Sequence, residues 1–125
     1  MARRNARSVS EAIVKYSGTP VYLGTIDFTA TSKTNAQATT PFNAALPGLL
    51  GKILMLQPSQ DVYILPVDTS TRAITSSNGI LLYAGERVTV TMMDMDITDE
   101  PGENTPWLAA IRSSADGNLK VWELI

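Results

Sequence analysis

The sequence predicts an all-β chain, an antiparallel β-sandwich preceded by an extended basic arm. Three observations predict it. Turn-forming residues recur at Gly51, Pro58-Ser59, Ser76-Ser77-Asn78-Gly79, Gly85-Glu86, Pro101-Gly102 and Asp116-Gly117-Asn118, cutting the second half into short segments at the spacing of a sandwich or barrel. Within them, Arg87-Val88-Thr89-Val90-Thr91-Met92 alternates polar and apolar residues, the period of two that buries one face of a strand and wets the other. No segment fits a helix of ordinary length.

The elements follow in order. Residues 1–16 are basic and polar and too short for a stable isolated helix, so they read as an arm, with room for a short helical turn at Ser10-Glu11-Ala12-Ile13-Val14, whose structure depends on what it touches. From residue 17 onward the texture is that of one sandwich domain, 17–125. Gly18-Thr19-Pro20 punctuates, and Val21-Tyr22-Leu23 and Thr25-Ile26-Asp27-Phe28-Thr29 form one or two strands with a bulge or bend at Gly24. Residues 30–48, rich in Ala, Thr, Asn and Pro, form a long connection, with room for an extended edge segment. Strands are expected near 52–57, 61–67, 71–75, 80–83, 87–93, 106–113 and 118–124, with 75–93 forming a β-hairpin.

Several of these strands are apolar on nearly both faces: Lys52-Ile53-Leu54-Met55-Leu56, Val62-Tyr63-Ile64-Leu65, Ile80-Leu81-Leu82-Tyr83 and Leu119-Lys120-Val121-Trp122-Glu123-Leu124-Ile125. Only one face of each sheet lines a sandwich core, so the second must be covered by something else. Self-association is the simplest cover; the alternative is that some of these positions lie at sandwich edges or beneath the long loop. The composition agrees with a covered surface. At 125 residues and 44% hydrophobic the chain can bury a core unaided, yet only 18% of it is charged, below the usual quarter or so.

The chemistry-bearing residues are few. With no histidine and no cysteine, a histidine-dependent hydrolase, a zinc enzyme, a catalytic thiol and a disulfide frame are all excluded. The glycines match neither a phosphate-binding loop nor a dinucleotide fingerprint. Asp94, Asp96, Asp99 and Glu100 form a carboxylate cluster. It lacks the glycine and glutamate of an EF-hand loop, and a solvated acidic loop between strands is the expected reading. Asp94 and Asp96 also lack the second carboxylate motif and aromatic platform of a glycosidase. Neither enzymatic activity nor a cofactor nor a metal is expected.

Of the two tryptophans, Trp122 is expected in the core, and Trp107, after Pro106 at a strand entry, fits core or interface. The first fifteen residues carry Arg3, Arg4, Arg7 and Lys15 against Glu11 alone. The rest of the chain is acidic and has no aromatic-interleaved basic stripe, so docking on an acidic protein surface is preferred to nucleic-acid binding. The N-terminus has no apolar core of a signal peptide, and no run of about 18 apolar residues occurs; a soluble, unexported chain is expected.

The segments starting Gly51-Lys52-Ile53-Leu54-Met55-Leu56, Ser77-Asn78-Gly79-Ile80-Leu81-Leu82-Tyr83-Ala84-Gly85-Glu86 and Trp107-Leu108-Ala109-Ala110-Ile111, the last running to Val121-Trp122-Glu123-Leu124-Ile125, resemble small β-sandwich virion proteins of tailed bacteriophages. The match covers about the last 75 residues and rests on the Asn-Gly, Ala-Gly-Glu and Val-x-Glu-Leu elements taken together. It departs from the family at Gln57-Pro58-Ser59, where Asn and a glycine turn are usual, at Leu81, where proline is usual, and in an acidic insertion at 94–105. The resemblance implies a jelly-roll-like sandwich and a structural role: a capsid decoration or cement protein, typically trimeric, bound to the major capsid protein, made in the host cytoplasm and held on the capsid surface. A head-to-tail connector, a head fibre or a tail component shares the fold. On this reading Arg3, Arg4, Arg7, Lys15 and Tyr16 touch the shell, while Trp107 and the loop with Asp94, Asp96 and Asp99 face outward or toward a sister subunit. A host-carbohydrate-binding module is the alternative from another class, with Trp107, Asn104 and Asp99 as its candidate group.

Overall fold

The computed structural model describes residues 18–92 and 105–125. They form strands β1 (Pro20–Phe28), β2 (Lys33–Thr34), β3 (Ile53–Pro58), β4 (Val62–Val67), β5 (Ile80–Leu82), β6 (Val88–Thr91), β7 (Trp107–Arg112) and β8 (Gly117–Leu124), with one 3-10 turn at Asn35–Gln37. Two four-stranded antiparallel sheets pack face to face, in the orders β1-β8-β3-β6 and β2-β7-β4-β5. The first strand pairs with the last, β2 with β7, β3 with β6 and β4 with β5. The chain is therefore one long hairpin rolled on itself, the strand order of a jelly roll, and the expected sandwich is present.

This topology corrects the expected hairpin over 75–93. Its two strands lie in different sheets, β5 bonded to β4 and β6 to β3. The turn between them forms where the sequence placed it: Gly85 has φ 78° and Glu86 N–H donates to Tyr83 O at 3.1 Å. It carries the chain across the sandwich, Ala84 N–H donating to Asp61 Oδ1 and Gly85 N–H to Pro58 O. Alternation reports which face of a strand is buried, not which strand it pairs with. The expected strand over 71–75 is also absent. That segment belongs to the connection between β4 and β5 and covers a sheet instead.

Proline positions show how the sheets end. Pro58 and Pro66 sit in interior strands, where a missing N–H would break a ladder. Each lies beyond the end of its edge neighbour, since β6 pairs with β3 only as far as Leu56 and β5 with β4 only as far as Ile64. Pro58 O accepts the Gly85 N–H at 2.7 Å, so the side of Pro58 that lacks a donor faces the turn before β6 and not a strand.

The core is built from the inward parity of both sheets: Ile26 and Phe28 of β1, Leu54 and Leu56 of β3, Val62 and Ile64 of β4, Leu108 and Ala110 of β7, Leu119 and Val121 of β8, all at most 1% exposed. Phe42, from the long connection, joins this core, its ring against Gly24 of β1 and its carbonyl bonded to Asn35 just after β2. Gly24 is glycine for this reason: a Cβ there would collide with the Phe42 ring, and the ladder shifts register beside it, between Tyr22 and Gly24. Gly24→Ala is therefore expected to cost about 1–3 kcal/mol by overpacking. Combining it with Phe42→Leu should lose less than the two single changes added together, as a four-protein urea-denaturation cycle would show.

The connection over 30–48 is held by one buried side chain. Asn35 is 0% exposed. Its Nδ2 donates to Phe42 O at 2.7 Å and Asn43 O at 3.3 Å, and its Oδ1 accepts the Leu108 N–H of β7 at 2.9 Å. Thr34 N–H donates to Gln37 Oε1, closing the 3-10 turn from its own start.

Candidate interaction surface

The two outward faces of the sandwich are treated differently. On the sheet containing β4 and β7, the outward residues are Tyr63, Leu65 and Val67 opposite Ile111, Ala109 and Trp107. Residues of the β4–β5 connection fold over them. Ile74, 2% exposed, packs with Val67, Trp107 and Ala109 in a second apolar cluster bordered by Ala36, Leu65 and Ile111. The connection is fastened by Ile74 N–H donating to Ser32 Oγ, by Thr34 Oγ1 donating to Ser70 O, and by the two-pronged Arg72–Asp68 pair at 2.9 and 3.0 Å. Here the Val67, Trp107 and Ala109 part of the outward apolar face is hidden by the chain itself, while Tyr63, Leu65 and Ile111 are half-buried at its margin.

On the sheet containing β1 and β8 the outward parity divides in two. One half is polar: Thr25 and Asp27 of β1, Asn118 and Lys120 of β8, and Gln57 of β3. The other half is apolar. Register places Pro20 opposite Leu124 and Tyr22 opposite Trp122, with Met55 of β3 on the far side of Trp122. Alternation adds Ile53 beside Leu124. The Tyr22 and Trp122 rings meet edge to face, centroids 6.1 Å apart at 65°, the geometry their quadrupoles prefer. Tyr22 is 55% exposed, and at the adjoining rim Val21 is 41% and Ile125 70% exposed. At that end of the sandwich Lys52 Nζ meets Glu123 Oε1 at 3.2 Å.

The sheet edges, by contrast, are guarded. β2, β5 and β6 are short, of two, three and four residues. β1, with nine residues, begins at Pro20 and carries the irregularity at Gly24. The Thr19–Ile125 pair exchanges both backbone hydrogen bonds, so by antiparallel alternation Pro20 turns its donorless side to the free edge. Short edges, a proline and a bulge are the devices that stop strand addition. The surface left open to a partner is thus a face, not an edge.

The expected site residues fall as follows. Arg3, Arg4, Arg7, Lys15 and Tyr16 of the arm, and Asp94, Asp96, Asp99 and Asn104, lie outside the described residues. Trp107, expected to face outward or toward a sister subunit, does stand on the outward side of its sheet, but it is only 9% exposed and its Nε1 donates to Ala44 O. It is not available to a partner. Trp122, expected in the core, is on the surface. In β8 the alternation of Asn118 and Lys120 with Leu119 and Val121 already marks Trp122 as outward, and the pairing of Leu119 with Ile26 and of Val121 with Leu56 fixes that phase; the core expectation followed the usual place of tryptophan and not this period. The apolar half-face of Tyr22, Met55 and Trp122 was thus signalled by strands greasy on both sides, with a legible parity at Trp122.

Among the described residues no three His, Cys, Asp or Glu side chains group as a metal site, and no helix is long and apolar enough to cross a membrane. A groove of about 360 Å³ on the polar half, lined by Gln57, Pro58, Ser59, Gly85, Asn118 and Lys120, has one titratable group and so no acid–base pair. No protein-family model, curated protein or solved structure matches the chain.

Proposed function

We propose that the chain is a structural, non-catalytic subunit of a tailed-bacteriophage virion, a capsid decoration protein that binds the major capsid protein shell as a homo-oligomer, a trimer in the simplest form. The observation that carries this reading is the apolar half-face of Tyr22, Met55 and Trp122. The sandwich lays a connection over part of one outward face and guards its edges, yet this stripe, with Tyr22 exposed and Met55 and Trp122 half-buried, has no such cover among the described residues, which suits a domain that completes its burial in an assembly. Jelly rolls are common among viral capsid proteins and lectins, and the sequence resemblance selects the virion. The mechanism is mechanical: each bound subunit bridges shell proteins, so additional buried contacts must break before the shell opens. The basic arm, with Arg3, Arg4 and Arg7, supplies the shell contact. The sugar-binding alternative is less supported, because Trp107, the aromatic of its candidate group, is only 9% exposed.

The test is addition of the purified protein to capsids lacking it. Saturable co-sedimentation, with a higher temperature of shell opening, is the expected result. No binding at any salt concentration overturns the decoration role, and imaging of bound particles separates a shell-wide location from a single vertex or the tail.

A further inference from the structure

The open half-face is small. Its six side chains, Pro20, Tyr22, Ile53, Met55, Trp122 and Leu124, tile roughly 200 Å², taking about 4.8 Å between strands and about 6.8 Å between alternate residues. A stable interface takes about 800 Å² from each partner. By itself the stripe supplies only a fraction of what two sandwiches packed face to face would bury. It is the size of one extended five-residue segment, about 17 Å long.

Such a segment leaves the domain at this corner. The chain enters β1 through Thr19, whose backbone exchanges two 3.1 Å hydrogen bonds with Ile125, next to Pro20 and Leu124 at the top of the stripe. Residues 12–16 read Ala-Ile-Val-Lys-Tyr, the apolar root of an otherwise polar and basic arm. We propose that residues 12–16 of one copy lie across Tyr22, Trp122 and Met55 of a neighbouring copy. The arm's root then holds a sister subunit and its arginine tip is left for the shell. This rests on the reading of the chain as a self-associating subunit and names the contact that associates it.

Reach decides between the chain's own stripe and a neighbour's. Three residue steps separate Tyr16 from Thr19, at most about 11 Å of extended chain, while a segment packed on a sheet face rides about 10 Å above it. Folding back would consume all the slack before any reversal of direction. Crossing to another copy requires no reversal. Gly18 tightens the constraint, because it abuts the Ile125 carbonyl so closely that a Cβ would collide with it.

Two full-length variants test this by complementation. Ile13→Asp with Val14→Asp removes the apolar root, and Trp122→Ser removes the surface that receives it. Light scattering should show an oligomer for the unmodified chain, a monomer for each variant, and a two-copy complex when the variants are mixed one to one, since one supplies the arm and the other the stripe. A mixture that stays monomeric overturns the proposal. So does wild-type association by either variant, or an unmodified monomer whose Trp122 is shielded from a soluble quencher, the sign of docking within one chain. If circular dichroism shows Trp122→Ser misfolded, Met55→Lys takes its place. No capsid enters the experiment, so its outcome is independent of the decoration role.

Discussion

Replacing Asn35 by leucine, which has the same number and branching of side-chain heavy atoms but is bulkier and apolar, is expected to lower folding stability by about 3–5 kcal/mol. The amide makes three bonds that leucine cannot replace: two donated to the carbonyls of Phe42 and Asn43, and one accepted from the Leu108 N–H in β7. A buried backbone group left without a partner costs about 1–3 kcal/mol, and the Leu108 N–H and Phe42 carbonyl have no water to turn to at a fully buried position. The lost bonds also release the Phe42 segment from β7, loosening the plug that sits over Gly24. Asn35→Asp discriminates further. It keeps the acceptor for Leu108 but points a carboxylate oxygen at two carbonyls, so its deficit should exceed that of a neutral isostere above the carboxylate pKa and narrow as the acid is protonated. Guanidinium denaturation at neutral and acidic pH would measure both. A loss below about 1 kcal/mol for Asn35→Leu would mean that the network does not hold the connection.

Asn35 also shows what could not be read from the sequence. It stands in the stretch with the weakest pattern, one asparagine among alanines and threonines, and its importance comes from β7, more than seventy positions away. Local pattern was informative where the physics is local. The turn at Gly85-Glu86 needs a left-handed glycine, and the irregularity at Gly24 needs a missing Cβ; both are where the sequence placed them. The period-two burial of Val88, Val90 and Met92 reflects the pleat itself. Pairing is not local. In a jelly roll only β4 and β5 are neighbours in both sequence and sheet, so reading adjacent strands as a hairpin fails at 75–93 for a topological reason. Trp122 was expected in the core and stands on a face, whereas Trp107, which fitted either place, stands on the outward side and is covered by a connection no local pattern announces. The candidate surface was therefore legible as a property of strands and, beyond Trp122, not as a set of residues.

The cover over the other sheet is the sharper test of the premise that outward apolar faces must be hidden. Ile74→Asp should remove it. Burying an isoleucine is worth about 1.5–3 kcal/mol, and an unpaired carboxylate held against Val67, Trp107 and Ala109 would cost more than the connection can hold. The segment should lift locally rather than unfold the sandwich, because its remaining fastenings, Ser32 to Ile74, Thr34 to Ser70 and the Arg72–Asp68 pair, sit on or beside the same connection. Lifting it exposes Trp107, now 9% exposed. In a Trp122→Phe background, where Trp107 is the only tryptophan, its emission should shift to the red and become accessible to a soluble quencher, with stability reduced by about 3 kcal/mol. The bared stripe of Leu65, Val67 and Ala109 should then promote a self-association distinct from the arm-mediated one proposed above, because it is insensitive to Ile13→Asp and Val14→Asp. If Trp107 stays shielded in that background, the cluster is held by the sheet alone, and a covering segment is not what keeps an outward apolar face of this sandwich dry.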